Sequence, residues 1–362
     1  MQKQFFLFAP LCAALVFCAV LLSCSDNTSI NKVMGSGSEA PIFIAYRAES
    51  GTEIKFQFSM PVKIVHAFLN TGDDFEPFPD EYAPIISLRF VSDHSGGKAI
   101  TADLLVEDAD GNSLNVLVPF KTRNSRMPAL LINEIRFERG GSNNSASEFI
   151  EFHTKTSGNL GAMRLFVASA KLDDPLSEPV YEFPSVEVKA GEYITLHMRT
   201  LPEDKAIDEL GDNLNLAKAK REGDTNDSAR DLWLPGSVKL LHSNADVIYL
   251  LDQDDVIIDS VVVAKSQDEW NKNKNLSKAA EFLAKQGAWL NAEGEAVKSP
   301  KAADAANTNN TTATRTLCRY ETKTDSNKMD DWYICKGSGD SPGALNNPEV
   351  YKAASKSSAK QH

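Results

Sequence analysis

Three glutamates stand among apolar residues in the stretch LLINEIRFERGGSNNSASEFIEF, residues 130–152: Glu134, Glu148 and Glu151. Paired carboxyl groups facing one cleft perform general acid–base chemistry, and a retaining glycosidase holds its two about 5 Å apart. The two apolar runs around a polar loop predict strands, along which side chains alternate between faces. Glu148 then shares a face with Ile150 and Phe152, whereas Glu151 shares the other with Phe149 and His153. Adjacent positions of opposite parity cannot share a substrate or a proton. Glu134 reaches either of them only across strands, and it has no His, Ser or Cys partner at a recognisable spacing. The three glutamates are therefore expected in structural or surface roles, and no catalytic residue is assigned.

Other arrangements with chemical potential give the same answer. The sequence holds no HExxH or GxxxxGK[ST] motif, whose spacings place a zinc or a phosphate. SINK, from Ser29 to Lys32, has the SxxK spacing without its companion motifs. His66, His94, His153, His197, His242 and His362 are scattered without metal-ligand spacing. Asp108, Asp110 and Asn112 alternate like the start of a calcium-binding loop, but Ser113 stands where such a loop needs Gly and Pro119 where it needs a bidentate Glu. A turn is the simpler reading there, as it is for the acidic tip of LLDQDDVIID. No metal site and no cofactor is expected. Cys318 and Cys335 flank the polar stretch RYETKTDSNKMDDWYI. In an oxidising compartment they are expected to form a disulfide, worth about 3 kcal/mol for a loop of this size; two free buried thiols are the other reading.

The elements that carry these residues are strands. EIKFQFSMPVKIV alternates Ile54, Phe56 and Phe58 against Glu53, Lys55 and Gln57, and TADLLVEDADGNSLNVLVPF continues as a hairpin with a polar break. Further on, MRLFVAS, YEFPSVEVKAGEYITLHM, DVIYLLDQDDVIIDSVVVA and WYICKGSGDSPGALN supply more strands, with Gly191 at a turn between two of them. The 362 residues suggest two domains, and the pattern predicts an all-β protein of two β-sandwiches. With 38 basic and 50 acidic residues the net charge is −12. No basic run with interleaved aromatics interrupts that balance, which argues against nucleic acid as a partner.

At the N-terminus, Lys3 precedes an apolar run from Phe5 to Leu22 that ends at Leu21-Leu22-Ser23-Cys24, the plan of an export signal. The ending resembles the lipobox of bacterial lipoproteins. That resemblance implies a signal peptide over residues 1–23, cleavage before Cys24, a lipid on Cys24 that attaches the protein to a membrane, and location in the bacterial cell envelope, facing periplasm or exterior. The run is also close to the length of a retained membrane anchor. Residues 24–40, rich in Ser, Asn and Gly, read as a flexible tether.

FSMPV (Phe58–Val62) and VEDADGNSL resemble the FSxPV strand and the closing hairpin of bacterial immunoglobulin-like domains, which places such a sandwich at residues 41–123. INEI, EFIEF, FPSVEVKAGEYITL, ADVIYLLDQDDVIIDSV and SPGALN, in that order, are similar to the successive landmarks of the lamin tail domain, itself an immunoglobulin-like sandwich. The resemblance covers residues 128–348, with inserts near 200–235 and 265–312, and leaves residues 349–362 as a disordered tail. LSKAAEFLAKQGAWL spaces Leu276, Ala279, Ala280 and Leu283 for one short helix in the second insert. The polar flank 298–316 is expected to be mobile, and the charged first insert to hold another helix. The resemblance implies a non-enzymatic adhesion, binding or scaffold module with a protein or glycan ligand. Its alternative is an accessory subunit of an envelope hydrolase or nuclease system.

Overall fold

The computed structural model describes residues 39–141, 146–170 and 178–353. The proposed signal, Cys24, most of the tether and residues 354–362 lie outside the described residues. The protein is all-β and divides into two units, residues 39–93 with 99–120, and residues 94–98 with 121–353.

The first unit contains β1 (Phe43–Ala48), β2 (Glu53–Leu69), β3 (Phe75–Phe78), β4 (Ala83–Phe90), β5 (Ala99–Glu107) and β6 (Ser113–Lys121). They run in the order β3-β4-β2-β5-β6, with β1 also paired to β2. The first half of β2 pairs with β1 and β4 and the second half with β5, and the ladder to β4 is irregular between Gln57 and Val62. Pro61, which has no N–H to donate, falls within that irregular stretch. Past it, a second register shift between Ile64 and His66 moves the buried positions from even to odd numbers, so that Ile54, Phe56, Phe58 and Val62 are followed by Leu69. Phe120 of β6 packs on both Phe56 and Phe90, at 5.9 and 6.3 Å between ring centroids, so strands from either side of β2 share one core. Asp108 makes the β5–β6 turn. Its carboxylate accepts the N–H groups of Asp110 at 3.0 Å and Asn112 at 2.9 Å.

The second unit contains β7 (Leu130–Arg136), β8 (Phe149–Thr154), β9 (Gly158–Asn159), β10 (Arg164–Val167), β11 (Tyr181–Glu182), β12 (Glu187–Val188), β13 (Tyr193–His197), β14 (Arg230–Trp233), β15 (Ala245–Leu251), β16 (Ile257–Ala264), β17 (Ala306–Asn307), β18 (Leu317–Arg319) and β19 (Trp332–Ile334). One sheet has the order β14-β13-β8-β7-β18-β19 and the other β11-β10-β15-β16-β17, with β9 and β12 a separate pair. Ile132, Ile135, Ile150, Phe152, Ile194, Leu196, Leu232 and Leu317 of the first sheet enter the common core with Leu165, Val167, Ile248 and Leu250 of the second.

Both sheets also bury their second face, the second sheet under the second insert and the first under the first insert and the C-terminal segment. Helices α1 (Gln267–Asn271) and α2 (Lys274–Lys285) lie in the second insert. Asn273 caps α2, whose Leu276, Ala279, Ala280 and Leu283 form the apolar stripe of the expected helix. Phe282 sits 5.8 Å from Tyr249 of β15, which stacks on Phe166 of β10 at 5.0 Å. All seven residues of β15 are thereby buried. The flank 298–316, expected to be mobile, is instead packed: β17 pairs with β16, and Thr308 and Thr316 are buried. The first insert holds no helix among the described residues. It is a loop that returns as β14, parallel to β13. Its turns close on carboxylates in place of helical bonds: Glu209 accepts the N–H groups of Leu216, Ala217 and Asp231 at 2.9, 3.1 and 2.9 Å. Residues 349–351, expected in the disordered tail, are instead bonded into the unit: Lys336 N–H bonds Glu349 at 2.9 Å and Tyr351 N–H bonds Ile334 at 2.8 Å.

Candidate functional site

The acidic residues that open the second unit lie on the face of the first sheet turned away from its hydrophobic core. Strand pairing sets Glu134 of β7 directly opposite Glu151 of β8, and Arg136 opposite Phe149. A register shift between Ile132 and Glu134 makes this possible. The extra residue, Asn133, lets Ile132 and Ile135 both point into the core although they are three positions apart. Across β8 the same outer face continues through Thr195 and His197 of β13 to Asp231 and Trp233 of β14.

This face is polar but closed to solvent. Glu134 and Glu151 are 0% exposed and Glu148 2%, so of the expected structural or surface roles only the structural one fits these three. The cover is the C-terminal segment Asp340–Asn346, which contains SPGALN. Glu134 accepts the N–H of Ser341 at 3.1 Å and its hydroxyl at 3.0 Å, and also the Thr316 hydroxyl. Glu151 accepts the N–H of Gly343 at 2.5 Å and the Asn133 amide at 2.8 Å. Glu321 accepts the N–H of Asn346 at 2.8 Å, the Asn133 amide at 3.0 Å and the Tyr193 hydroxyl at 2.7 Å. Gly343 is pressed against the first insert, where Asn226 donates to its carbonyl at 3.0 Å.

Beside the carboxyl pair is a largely buried ionic network, open to solvent only at Arg221. Arg136, 0% exposed, bonds Asp224 at 2.9 Å and also Asp340; Arg221 bonds Asp224 at 2.8 Å and again Asp340. The Arg136 guanidinium lies 4.6 Å from the centre of the Phe149 ring. Glu148, at the other end of the hairpin loop, pairs with Arg199 at 2.8 Å. The opposite-face reading of Glu148 and Glu151 agrees with this separation of partners, but Glu134 does have hydroxyl and thiol neighbours. Thr316, Ser341 and Cys335 reach it from sequence positions that no short spacing would reveal.

Burial drives the electrostatics. It pushes the Glu134 carboxyl up to about 7, and it raises Glu151 well above the usual carboxylate range, with the charge of Glu134 adding to the effect. The two cysteines are free, buried thiols and not the expected disulfide. Pairing of Cys318 with Tyr333 puts Cys335 diagonally across from Cys318, on the same face, and Thr316 lies between them with its hydroxyl 3.4 Å from Cys318 and 3.1 Å from Cys335. The hydrogen bond from Cys318 pulls the Cys335 thiol down to about 6, while burial pushes Cys318 up.

One further pair has the look of half a catalytic triad. His197 Nε2 lies 2.7 Å from the Asp231 carboxylate and its ring stacks on Trp233 at 4.0 Å. Its Nδ1 bonds no hydroxyl, and both residues are sealed beneath the first insert. The pair joins strands and activates no nucleophile in this arrangement. Among the described residues, the recesses on the second unit include two with charged side chains in their lining. One, of about 200 Å³, is lined by Asn133, Lys155, Tyr320, Glu321, Lys323 and Asp325. The other, of about 500 Å³, is lined by Glu187, Lys189, Glu192, Asp212, Ser228 and Arg230.

A family model described as TP_1001_2nd, protein second domain, matches residues 128–334. No curated protein matches the sequence. Among solved structures, the chain is similar to a DUF4876 family protein from Bacteroides thetaiotaomicron VPI-5482, at 9% identity and a TM-score of 0.29, covering 83% of this chain and 94% of that one. Domains 1–6 of the surface layer protein SbsC match at 8% identity and a TM-score of 0.19, over 65% of this chain and 42% of that one.

Proposed function

The chain belongs to the TP_1001 second-domain family, and for this member we propose a non-enzymatic binding or scaffold role in the bacterial envelope, with a lipid on Cys24 as the membrane anchor. The observation that supports it is the use made of the acidic residues. Glu134 and Glu151 are held by backbone N–H groups of a single segment, so their oxygens are occupied inside the fold and not presented to a substrate. Acid–base chemistry needs a carboxyl within reach of the proton it moves. What the second unit offers outward is its loops and the two polar recesses, where both signs of charge suit a polar ligand such as a glycan or a polar protein surface. The lamin-tail-like reading of residues 128–348 and the immunoglobulin-like reading of residues 41–123 are consistent with such a display module.

The test is a binding screen of the full chain, without its lipid, against glycans, peptidoglycan, envelope proteins and nucleic acids at low and high salt. The proposal expects a glycan or protein ligand whose binding Asp212→Ala or Lys323→Ala weakens. A steep salt slope with nucleic acid, or substrate turnover that Glu134→Gln removes from a folded protein, would overturn it.

A further inference from the structure

The Glu134–Glu151 pair has no cation of its own. The two lie in directly opposed strand positions, where like charges repel, and neither reaches solvent. The charged and titratable groups around them come from every element packed on this face: Arg136 of β7, His153 of β8, Tyr193 of β13, Asp231 of β14, Cys318 of β18, Tyr333 of β19 with Cys335 just after it, Glu321, Asp340 of the C-terminal segment, and Arg221 and Asp224 of the first insert. Arg136 and Arg221 are matched by Asp224 and Asp340, two cations against two anions. That leaves Glu134, Glu151 and Glu321 with His153, which lies 3.5 Å from Glu321 but is held toward its neutral form by burial and by Lys155, 3.1 Å from its ring. Two ionised carboxyls side by side would then be stabilised mainly by N–H and O–H groups, with the field of the already paired Arg136 reaching Glu134.

We infer that Glu134 and Glu151 form a proton-gated latch for the segment Asp340–Asn346, closed while the pair retains a proton and loosened when both carboxyls ionise. The geometry makes the segment the part that yields. Ser341 and Gly343 donate their N–H groups to these two carboxyls, whereas the strands beneath them are held by ladders and by the core on the opposite face. The upward displacement of Glu134 by burial to about 7 sets the range of the gate close to neutrality. The sign follows: a carboxyl whose proton is held more tightly in the closed form stabilises that form at low pH, and the effect is lost as pH rises through the raised value. Cys335, whose thiol is drawn down to about 6 by Cys318, has the opposite sign: its proton is held less tightly in the closed form, so it works against the gate and makes the net slope shallower. Opening would uncover Glu134, Glu151 and the thiol pair together.

Amide hydrogen exchange on the full chain between pH 6 and pH 9 tests this, with rates divided by the intrinsic rate at each pH. The protection of Ser341 and Gly343 is expected to fall by up to about tenfold per pH unit until the closed-form pair is fully ionised, and to level off above that point. Ile248 in β15, which bonds only within its sheet, is expected to stay unchanged. In Glu151→Gln the protection at pH 6 is expected to persist and the slope above about pH 7 to disappear, since only Glu134, raised to about 7, still titrates. Constant protection of Ser341 and Gly343 across the range, the same slope in Glu151→Gln, or a loss shared equally by Ile248 would each overturn the latch. Should Glu151→Gln fail to fold, the comparison of Gly343 with Ile248 in the unaltered protein still decides it.

Discussion

Replacing Gly343 by Ala is expected to destabilise the second unit by about 2–5 kcal/mol, from two separable causes. The first is backbone strain. Gly343 has φ +76°, a conformation that costs an L-residue about 1–2 kcal/mol. The second is crowding, since a Cβ there would lie 2.5 Å from the Cβ of Asn226 and 2.8 Å from that of Ala229. Forcing an extra carbon into a packed site costs about 1–3 kcal/mol. Gly191 provides the control: its φ is +82° but nothing lies within 4 Å of its added Cβ, so Gly191→Ala is expected to show the strain alone. Both variants are measured by urea unfolding followed by circular dichroism, where a slope of about 2 kcal/mol per molar turns the Gly343 effect into a midpoint lowered by about 1–2.5 M. A Gly343→Ala midpoint equal to that of Gly191→Ala would refute the claim that the C-terminal segment is wedged between Glu151 and the first insert.

Arg136→Ala removes the partner of two buried aspartates and is expected to cost about 3–5 kcal/mol, read by the same unfolding assay; a change below about 0.5 kcal/mol would mean the network is not closed. Glu134 is raised to about 7, Asp246 to about 7 and Asp259 to about 6, in each case by burial. Their contribution to stability is therefore complete below their unfolded values near 4 and is lost as pH rises through 6 to 7. The unfolding free energy of the second unit is expected to fall by a few kcal/mol between pH 5 and pH 8, and a rise over that interval would contradict the burial of these carboxyls. Metabolic labelling with a fatty-acid analogue is expected to mark the exported protein and not Cys24→Ala, and persistent labelling of that variant would exclude the proposed anchor.

Strand content was legible because it depends on local alternation. Ile54, Phe56 and Phe58 announce the first half of β2, and Leu276, Ala279, Ala280 and Leu283 announce α2. The bulge at Asn133 was also legible in principle: the apolar positions Leu130 and Ile132 are followed by Ile135 and Phe137, a change of parity that a regular strand does not make. Reading it would have placed Glu134 opposite Glu151. The cover of the polar face was not legible. Glu134 meets Ser341, and Arg136 meets Asp224 and Asp340, across long separations that leave no periodic trace. The first insert misled for a related reason. Its charged residues suggest a helix, yet Glu209 and Asp204 accept backbone N–H groups that a helix would have paired internally. The thiols of Cys318 and Cys335 illustrate the remaining limit, because the sequence shows that two cysteines flank a turn but not that Thr316 lies between them.

The structural reading of the acidic residues is tested most directly by a double-mutant cycle of Glu134→Ala and Ser341→Ala, with unfolding free energies measured at pH 6. If Glu134 exists to hold the C-terminal segment, the two changes are coupled by about 1–2 kcal/mol, since either one removes the same hydrogen bond. Additive effects, within about 0.5 kcal/mol, would contradict it.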